Sequence, residues 1–397
     1  MSTTASASSR PRVLQCITRL GLGGAERVAF SLIHALQRDV EFGMFTVYQD
    51  IQDAVGESMR QELAVADVPW FPGTRLPVKR GGMLTGGIAL ARAIRRFRPD
   101  VVHFHSETPE ACGAVARLLL GRRQPGLVRT IHNSVFWRYW PRIGRWCDRR
   151  LAAAEIACVS EAARDEFLRY RRDSGARAPL APPAVIYNSV DLAPRPPHET
   201  PHEARKRCVL FAGRFEHQKG VDLLCDALRQ TRLPADCAGE LVCIGQGSEE
   251  SRLRALAAAP PNGWTITVRP PAASLSAAFE CADLAVIPSR FEGLALVSIE
   301  ATLHGVPIVA TQAPGLSETL PDGHPWLAAP ANASELARTL DVALAETARW
   351  GDSVRAAQQL ALTRFSVAAM RDGYAALYRR AGAKRNGTMD IAGAVRP

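Results

Sequence analysis

Several features that identify common classes of protein are missing from this chain of 397 residues. No apolar run approaches the roughly 18 residues that a membrane-spanning helix requires. Residues 1–10 are polar and lack the apolar centre of a secretory signal, so we expect a disordered N-terminus. The nine cysteines include no Cys-x-x-Cys pair, and most lie in apolar runs. This pattern predicts reduced core cysteines in a cytoplasmic protein rather than disulfides or a zinc site.

Two short motifs are also absent. The chain has no Asp-x-Asp, the paired carboxylates with which many enzymes bind a phosphorylated ligand through a divalent metal. A phosphate site in this protein is therefore expected to use no metal. No cofactor is predicted. The early glycine-rich turn at residues 20–26 lacks the spaced glycines and the following acidic residue of a dinucleotide-binding motif, which disfavours a dehydrogenase.

Acidic residues are scarce in the first half of the chain. Residues 1–195 contain 28 Lys and Arg but 18 Asp and Glu, whereas residues 196–397 contain 21 of each. The whole net charge of +10 therefore lies in the first half. A basic surface that favours solubility explains this, and so does an anionic partner such as a membrane surface or a phosphorylated acceptor. Nucleic acid is not predicted as a partner, because no binding motif accompanies the charge.

Apolar segments of strand length alternate with segments of helix length along the whole chain. Such alternation is typical of parallel sheets with helices on both faces. The pattern stops at Asp191–Arg205, a predicted linker rich in Pro and His, and then restarts. We therefore predict an α/β protein with two doubly wound, Rossmann-like domains that face a cleft. The predicted strands are Arg12–Thr18, Glu41–Val47, Val101–His105, Val128–Ile131, Glu155–Val159 and Ala184–Tyr187, and then Cys208–Ala212, Leu241–Gly245, Thr265–Val268, Leu284–Pro288 and Pro307–Ala310.

The predicted domain boundaries follow from this linker. An N-terminal domain covers residues 11–195, and a C-terminal domain covers residues 196–363. A last helix is predicted over residues 364–381, and residues 382–397 are predicted to be a disordered tail.

The segment 284–305 carries the most informative residues. Leu284–Pro288 is predicted to be a buried parallel strand, and a helix is predicted to begin near Leu296. Glu292 lies in the loop between them, and Glu300 lies in the helix. Backbone N–H groups at the start of such a helix favour an anion. A carboxylate on each side of an anion site suits a ligand with a central phosphate and hydroxyls at both ends, such as a nucleotide sugar.

Two cations follow the first predicted strand of the second half. Arg214 and Lys219 lie in one loop, directly after Cys208–Ala212. Two positive side chains at this position can neutralise a diphosphate. A single Lys or Arg is ordinarily a solvated surface residue, but this pair together with Glu292 favours a binding site. The next strand ends in Gly245-Gln-Gly247, which suits close packing of a nucleotide base.

Candidate residues in the first half are fewer. The turn with Gly23 and Gly24 either lets a ligand approach the backbone at a helix start or is a tight turn without a ligand. His132 follows the strand Val128–Ile131 and is predicted to lie at the ligand edge of the sheet, although a lone histidine is more often structural. His105 is a weaker candidate. It shares the strand Val101–His105 with His103, and one of these two histidines is expected to face the core.

The segment Phe136–Arg150 contains five aromatic residues and five arginines. Aromatic rings and guanidinium groups together suit a membrane interface, where rings lie at headgroup depth and arginines meet phosphate. A helix packed on its own domain, with arginines that extend to solvent, is the alternative. We favour the first interpretation and expect Trp137, Arg138, Arg142 and Arg145 to contact an acceptor or an anionic membrane.

Together, these residues resemble the retaining glycosyltransferases of family 4 (glycosyl transferases group 1), which have the two-domain GT-B fold. The resemblance covers nearly the whole ordered chain. The spacing of Glu292 and Glu300, combined with Arg214 and Lys219, is its most specific part. Its motifs are Gly23-Gly-Ala-Glu26, Thr130-Ile-His-Asn133, Val159-Ser-Glu-Ala162, Ile186-Tyr-Asn-Ser-Val-Asp191, Gly213-Arg214 with Lys219-Gly220, and Glu292 with Glu300.

The resemblance implies a role for each candidate residue. Arg214 and Lys219 would bind the donor diphosphate, Glu292 would contact the transferred sugar, and His132 would lie near the reacting centre. The last helix would cross back to the first domain. The predicted donor-binding residues are Gly23, Gly24, Arg214, Lys219, Gly245, Gly247, Glu292, Gly293, Leu294, Ala295, Leu296 and Glu300, the last of which would hold the ribose hydroxyls.

Three loops depart from the usual sequence of the family. Asn188-Ser189 replaces a common Asn-Gly, Pro314-Gly315-Leu316 lies where Gly-Gly is frequent, and His324-Pro325 lies where a glycine is frequent. These departures do not affect the predicted diphosphate site. They leave open which sugar is transferred and which acceptor receives it.

The resemblance thus implies a retaining, metal-independent hexosyltransferase. Its donor would be a nucleotide-diphosphate sugar, and its acceptor a glycan or a polyprenyl-diphosphate-linked glycan in bacterial cell-surface polysaccharide or lipopolysaccharide synthesis. Such an enzyme would be cytoplasmic, with peripheral contact to the inner face of the cytoplasmic membrane. No carboxylate is placed as a covalent nucleophile, which favours a front-face route. A nucleotide-sugar epimerase, a binding-only protein and a transferase with a soluble acceptor are the alternatives.

Overall fold

The chain folds into two compact units. The first comprises the ranges Met1–Cys158, Phe167–Ile186 and Met370–Pro397, and the second comprises Val159–Glu166 and Tyr187–Ala369. The sequence places its boundary at residue 195 instead. The structure, a computed structural model, describes residues 10–21, 23–51, 54–121, 124–133, 137, 140–176, 179, 181–201, 206–235, 237–272 and 274–385.

Strands and helices alternate throughout both units. Up to residue 186 the elements are β1 (Arg12–Ile17), α1 (Gly24–Leu36), β2 (Glu41–Tyr48), α2 (Ala54–Val65), β3 (Trp70–Thr74), α3 (Gly82–Phe97), β4 (Val101–Phe104), α4 (Glu107–Leu119), β5 (Gly126–Ile131), α5 (Pro141–Arg150), β6 (Glu155–Cys158), α6 (Glu161–Asp173) and β7 (Ala184–Val185). The elements that follow are β8 (Lys206–Ala212), α7 (Val221–Leu228), β9 (Ala238–Ile244), α8 (Glu250–Ala258), β10 (Trp264–Arg269), α9 (Ser276–Cys281), β11 (Leu284–Ile287), α10 (Leu296–Leu303), β12 (Ile308–Thr311), β13 (Leu327–Ala328), α11 (Ala333–Ala345), α12 (Trp350–Arg364) and α13 (Val367–Arg385).

A seven-stranded sheet forms the centre of the first unit. The strand order is β3-β2-β1-β4-β5-β6-β7, and the paired strands are parallel. The order reverses between β1 and β4, where Val13 pairs with Val101. Loops that follow two such strands diverge to opposite faces of the sheet, which leaves a place for a ligand at their carboxyl ends.

The second unit has a six-stranded sheet with the same arrangement. Its order is β10-β9-β8-β11-β12-β13, again with parallel pairs, and the reversal lies between β8 and β11. Both sheets consist largely of buried apolar strands, as expected for sheets covered by helices on both faces. The predicted α/β fold with two doubly wound sheets is thus confirmed.

Large apolar side chains fill the core of each unit. Leu14, Phe45 and Phe104 are buried between the first sheet and its helices. In the second unit, Trp326 and Trp350 are fully buried, and the indole N–H of Trp350 donates to the carbonyl oxygen of Ala343 over 2.8 Å. Cores of this size stabilise each unit through burial of apolar surface.

The sequence predicts a helix around Gly87–Phe97, and in the structure this helix, α3, begins five residues earlier, at Gly82. Its glycines allow close packing on α4, because a Cβ at Gly87 would lie 2.5 Å from Cβ of Val115 and one at Gly86 would lie 2.8 Å from Sγ of Cys112. Glycine normally disfavours a helix interior. Here tertiary contact overrides that preference, which is why the sequence alone places the helix start too late.

Strand β3 was not predicted, because it contains Pro72 and Gly73. Among the described strands it lies at the edge of the sheet and pairs with β2 alone, so the missing N–H of Pro72 costs no central ladder bond. A Cβ at Gly73 would lie 2.4 Å from the carbonyl oxygen of Val47, so the strand can approach only with glycine there.

Helix α13 extends over 19 residues and continues to Arg385. The predicted disordered tail from Gly382 is therefore corrected for Gly382–Arg385, and residues 386–397 lie outside the described residues. Residues from Met370 onward belong to the first unit. Across the described ranges, no helix combines the length and the apolar character needed to cross a membrane.

A buried ionic cluster joins four elements of the first unit. Arg129 in β5 donates to both oxygens of Glu110 in α4, at 3.0 and 2.7 Å, and to Asp148 in α5 at 2.9 Å. Arg171 in α6 lies 3.4 Å from the same Asp148 oxygen. Arg129, Glu110 and Asp148 have side chains at most 3% exposed. Each of these buried charges faces an opposite charge within the cluster, which ties the helices to the sheet.

Candidate active site

The loops after β8 and β11 come together at one edge of the second sheet. The backbone N–H of Arg290 donates to the carbonyl oxygen of Gln218 over 2.8 Å. The side-chain amide of Gln218 donates to the carbonyl oxygen of Phe291 over 3.1 Å. Because β8 and β11 are neighbours in the sheet, their carboxyl ends place the two predicted functional segments, Arg214–Lys219 and Glu292–Leu296, side by side.

Lys219 and Glu292 form an ion pair at this edge. Nζ of Lys219 lies 2.7 Å from Oε1 of Glu292, and the two side chains are 17% and 5% exposed. The hydroxyl of Ser289 donates to the same oxygen over 2.6 Å. Glu292 is therefore held by two donors, and the charge of Lys219 is shared with a carboxylate. The sequence predicted both residues as site residues but did not predict their pairing.

A second ion pair holds the loop after β11 against helix α7. Arg290 donates to both carboxylate oxygens of Asp222, at 2.7 and 2.8 Å, and to the carbonyl oxygen of His217 at 2.8 Å. Arg290 beside Asp222 lowers the pKa of that carboxyl group. A bidentate pair of this kind fixes geometry as well as charge. Sequence reasoning missed it, because 68 residues separate the partners.

Arg214 differs from Lys219 in its surroundings. It is exposed, and its Nη2 donates over 3.1 Å to Oε1 of Gln218, a neutral group. A guanidinium held by one neutral partner keeps its full charge available to an anion. Arg214 is thus the group in this site best suited to meet a phosphate directly.

Gly245 and Gly247 pack against the backbone of the loop after β8. A Cβ at Gly245 would lie 1.8 Å from the carbonyl oxygen of Gly213, and one at Gly247 would lie 2.3 Å from that of Phe215. Gly220 has a φ of +69°, and a Cβ there would lie 2.0 Å from the carbonyl oxygen of Pro288. The protein backbone occupies the space beside these glycines, so packing requires glycine at all three positions. The role of Gly245 and Gly247 in donor binding stays a prediction.

The backbone after Glu292 is buried and anchored. Gly293, Leu294 and Ala295 are buried, and the hydroxyl of Ser160 donates to the carbonyl oxygen of Gly293 over 2.5 Å. Glu300 is also buried, in the second turn of α10. Helix α10 begins at Leu296 without a side-chain cap at its N-terminus. The backbone N–H groups of Leu296 and Ser298 donate to the carbonyl oxygens of Leu294 and Ala295, so its own backbone closes part of the first turn.

In the first unit, the predicted glycines lie at the corresponding edge. Gly23 precedes α1, and at Gly24 a Cβ would meet nothing within 4 Å. The hydroxyls of Thr18 after β1 and Ser106 after β4 lie 2.9 Å apart, so the loops at the strand-order reversal are in contact. Open space beside Gly24 is compatible with the predicted approach of a ligand.

His132 lies directly after β5 at the same edge and is partly exposed. Its Nε2 lies 3.1 Å from Nδ1 of His105, which is fully buried. Burial lowers the pKa of His132 to about 3 and lowers the pKa of His105 well below its ordinary value. Both rings are therefore neutral at physiological pH, and His132 can act as a hydrogen-bonding group rather than as a cation.

The segment rich in aromatic residues and arginines is divided between core and surface. Trp137 is 5% exposed, and its backbone N–H donates to Oε1 of Glu107, so the predicted contact of Trp137 with a membrane does not fit this packing. Burial raises the pKa of Glu107 to about 7. Arg142 is exposed and Arg145 is partly exposed, whereas Arg138 lies outside the described residues.

Charge in the second unit's site is supplied by side chains. Arg214 presents a full positive charge, Lys219 shares its charge with Glu292, and Arg290 is neutralised by Asp222. No cluster of three or more metal-ligating side chains occurs among the described residues. The arrangement can bind a diphosphate through Arg214 and Lys219 and can hold a hydroxyl-bearing group at Glu292.

Two family models match this chain. Glycosyltransferase Family 4 matches residues 22–194, and Glycosyl transferases group 1 matches residues 206–346. D-inositol 3-phosphate glycosyltransferase from Pseudarthrobacter chlorophenolicus is 30% identical over 332 residues, which is 77% of this chain and 78% of that protein. Alpha-D-kanosaminyltransferase from Streptomyces kanamyceticus is 26% identical over 318 residues, 72% of this chain and 80% of that protein.

The fold is also found in solved structures. HepE from Anabaena, in complex with UDP and glucose, superposes with a TM-score of 0.73 at 21% identity, over 93% of this chain and 100% of that chain. The two parallel sheets with the same reversal of strand order are those of the GT-B fold. The family matches and the sequence identity together show that this chain is a glycosyltransferase and belongs to family 4, the glycosyl transferases group 1.

Proposed function

We propose that this protein transfers a hexose from a nucleotide-diphosphate sugar to an acceptor hydroxyl, with retention of the anomeric configuration and without a metal ion. The observation that carries the proposal is the group formed by Arg214, Lys219 and Glu292 at the adjacent ends of β8 and β11. Two cations at the carboxyl ends of parallel strands suit a diphosphate, and a fixed carboxylate beside them suits a sugar hydroxyl.

A uridine nucleotide sugar is the first donor to test. HepE, which shares the fold, binds UDP and glucose. In this chain, β8, the first strand of the second unit, is followed by a loop with two cations, Arg214 and Lys219, which can neutralise a diphosphate. Glu300, buried in the second turn of α10, is the residue we assign to the ribose hydroxyls.

The chemistry follows from charge development on the leaving group. As the bond between the anomeric carbon and the phosphate oxygen breaks, negative charge grows on the diphosphate, and Arg214 and Lys219 stabilise it. When the donor is bound, Lys219 gives up part of its contact with Glu292 and contacts the phosphate instead. Glu292 accepts hydrogen bonds from both Lys219 and Ser289, which suits the binding of a hydroxyl more than nucleophilic attack. The acceptor oxygen then attacks on the same face, and its proton passes to the leaving phosphate.

The acceptor is proposed to be anionic. All ten excess positive charges lie in residues 1–195, and Arg142 and Arg145 of α5 reach the surface. A glycan on a polyprenyl diphosphate at the inner face of a bacterial cytoplasmic membrane fits this charge, in the synthesis of a cell-surface polysaccharide or lipopolysaccharide. A soluble phosphorylated acceptor is the second candidate, because one relative is named for D-inositol 3-phosphate.

Nucleotide release tests the donor half of this proposal. The protein is incubated with UDP-, GDP- and ADP-sugars, with and without polyprenyl-diphosphate-linked or phosphorylated soluble acceptors, and free nucleotide is measured. We expect release with one donor class, stimulated by an acceptor. Epimerised sugar without transfer would instead indicate an epimerase, and absence of any turnover would contradict the proposal.

Sedimentation with vesicles tests the acceptor half. We expect binding to phosphatidylglycerol-containing vesicles but not to pure phosphatidylcholine, and weaker binding at high salt. Each basic residue near an anionic surface contributes about 1 kcal/mol, so changing Arg142 and Arg145 to Glu should lower binding roughly 30-fold or more. The control changes Arg232 and Arg338, two exposed arginines of the second unit, to Glu and should retain binding. Binding to neither vesicle at low salt would favour a soluble acceptor.

A further inference from the structure

A continuous chain of hydrogen bonds runs through the core of the first unit, from α13 to His132. The phenol oxygen of Tyr378 lies 3.0 Å from Nε2 of Gln15, and Oε1 of Gln15 lies 2.6 Å from Nε2 of His105. Nδ1 of His105 in turn lies 3.1 Å from Nε2 of His132. Gln15, His105 and Tyr378 are buried, whereas His132 is partly exposed. Of these four side chains, His132 is the one that can contact a ligand.

A second branch begins at the same phenol. The hydroxyl of Tyr378 lies 3.0 Å from Nδ1 of His103, and Nε2 of His103 lies 2.7 Å from the hydroxyl of Thr130. That hydroxyl lies 3.0 Å from the hydroxyl of Tyr374, which is one turn before Tyr378 in α13. Every member of this branch is buried. The last helix therefore provides two phenols to one polar network.

The amide of Gln15 determines where the protons of this network lie. An amide nitrogen only donates and an amide oxygen only accepts. With its oxygen toward His105, His105 carries its proton on Nε2. Because the ring is neutral, its Nδ1 has no proton and accepts a hydrogen bond from Nε2 of His132. His132 is neutral as well, so its own Nδ1 is left unprotonated.

The opposite orientation of the amide would reverse every bond of the network. His105, His103 and His132 would then each carry the proton on Nδ1. Neutral imidazole in water favours the proton on Nε2, so the orientation seen in the structure leaves all three rings in their preferred form. Tyr378 supports this orientation, because its hydroxyl accepts from the amide nitrogen of Gln15 and donates to Nδ1 of His103.

We propose that Gln15 and Tyr378 are positioning residues that hold His132 in the Nε2-protonated tautomer, so that Nδ1 accepts a hydrogen bond from a substrate hydroxyl. Nδ1 of His132 has no partner within the described part of the chain. His132 lies at the carboxyl end of β5, the edge at which ligands bind in parallel sheets. The identification of the hydroxyl with a sugar or acceptor rests on the proposed function, whereas the tautomer itself does not.

The tautomer can be measured directly on the full chain. Histidine is labelled with ¹⁵N, long-range ¹H–¹⁵N correlation spectra are recorded at neutral pH, and the His132 signal is assigned by its loss in His132→Asn. We expect a neutral ring with its proton on Nε2. A proton on Nδ1, or a doubly protonated ring, overturns the proposal, whatever the protein transfers.

Two phenols on the same helix give a matched pair of variants. Tyr378→Phe removes the hydroxyl that holds the amide of Gln15, so we expect the His132 signal to shift toward a mixture of tautomers. Tyr374→Phe removes an equally buried hydroxyl at the far end of the network, and the signal should not change. Gln15→Met should act like Tyr378→Phe. Equal spectra for Tyr378→Phe and Tyr374→Phe contradict the proposal. If Gln15→Met does not fold, the His132 tautomer in the wild-type spectrum still tests the proposal.

Transfer activity provides a second readout. Tyr378→Phe should lower kcat/KM by roughly 3–10-fold, the value of one hydrogen bond, whereas Tyr374→Phe should remain near wild type. If the protein transfers no sugar at all, the proposed function fails, but the NMR spectra still test the network. If transfer occurs and both variants match wild type while the His132 tautomer shifts, Nδ1 is not used by the substrate and that part of the proposal is overturned.

Discussion

Replacing Lys219 should impair both stability and transfer, whereas replacing Arg214 should impair transfer alone. Lys219 is 17% exposed and neutralises Glu292, which is 5% exposed, over 2.7 Å. Arg214 is exposed and contacts only the neutral amide of Gln218 in the described structure. The two cations are thus predicted to serve the same diphosphate from different electrostatic environments.

The magnitudes follow from these environments. Removal of one preorganised charge contact typically costs about 2.7–4 kcal/mol of transition-state stabilisation, or roughly 100- to 1,000-fold in kcat. Both Lys219→Met and Arg214→Ala should show this loss. Lys219→Met also leaves the carboxylate of Glu292 buried without its cation, which typically costs about 3–5 kcal/mol. Since Ser289 still donates to Glu292, we expect the lower end, about 3 kcal/mol. Arg214→Ala should change the free energy of unfolding by less than about 1 kcal/mol.

A double variant separates the two effects. Lys219→Met with Glu292→Gln removes both charges, keeps an acceptor for Ser289, and should regain most of the lost stability. It should not regain activity, because the cation at the diphosphate is still missing. Urea unfolding and donor turnover are measured for wild type, the single variants and the double variant. Turnover near wild type in Lys219→Met, or an equal loss of stability in Arg214→Ala, would refute this reasoning.

Three further results are expected. Turnover should persist in excess EDTA, because cationic side chains stabilise the leaving group; loss of turnover restored by Mg²⁺ or Mn²⁺ would contradict this. Arg129→Met should lower the free energy of unfolding by about 3–5 kcal/mol, since Glu110 and Asp148 lose their cation; a change below 1 kcal/mol in urea unfolding would contradict it. Burial raises the pKa of Glu107 to about 7. Between about pH 4.5 and 7 the native state therefore binds more protons than the unfolded state. As pH rises through that window, Glu107 lowers the free energy of unfolding. Glu107→Gln should therefore stabilise the protein by about 3 kcal/mol at pH 8 and by little at pH 4, measured as the difference in thermal or urea unfolding between the two pH values.

Eleven of the thirteen strands in the described sheets could be predicted from the sequence, because most are short apolar runs between turn-forming residues; β3 and the two-residue β13 could not. The segment Leu284–Pro288 is an example, since four consecutive buried residues form β11. The loop positions of Arg214 and Glu292 followed from the same reasoning, because residues directly after parallel strands lie at one edge of the sheet. Both predictions depend only on local sequence and on the topology.

Contacts between distant segments could not be predicted. The pair of Lys219 and Glu292 joins residues 73 apart, and the bond between Gln15 and Tyr378 joins residues 363 apart. Local patterns carry no information about which side chains meet across such separations. Gln15 in particular is a buried polar residue within the apolar part of β1, and its buried partners show why it is there.

The predicted contact of Trp137 with an acceptor or a membrane does not fit its burial, for a related reason. Aromatic residues beside arginines indicate a membrane interface as readily as a packed helix. The structure distinguishes the two, because Trp137 packs against Gly144, where a Cβ would lie 2.4 Å from the indole ring. The glycine in α5 that makes room for the ring was the one signal in the sequence that could have favoured the packed alternative.

The stereochemistry of donor hydrolysis tests the central proposal most directly, because it needs no knowledge of the acceptor. The protein is incubated with UDP-α-glucose in excess EDTA, and the released glucose is followed by ¹H NMR before its anomers equilibrate, with Arg214→Ala as the control. We predict that α-glucose appears first and that the variant releases it at least about 100-fold more slowly. Initial release of β-glucose, a requirement for added metal, or equal rates in the wild type and the variant would contradict retaining, metal-independent transfer at this site.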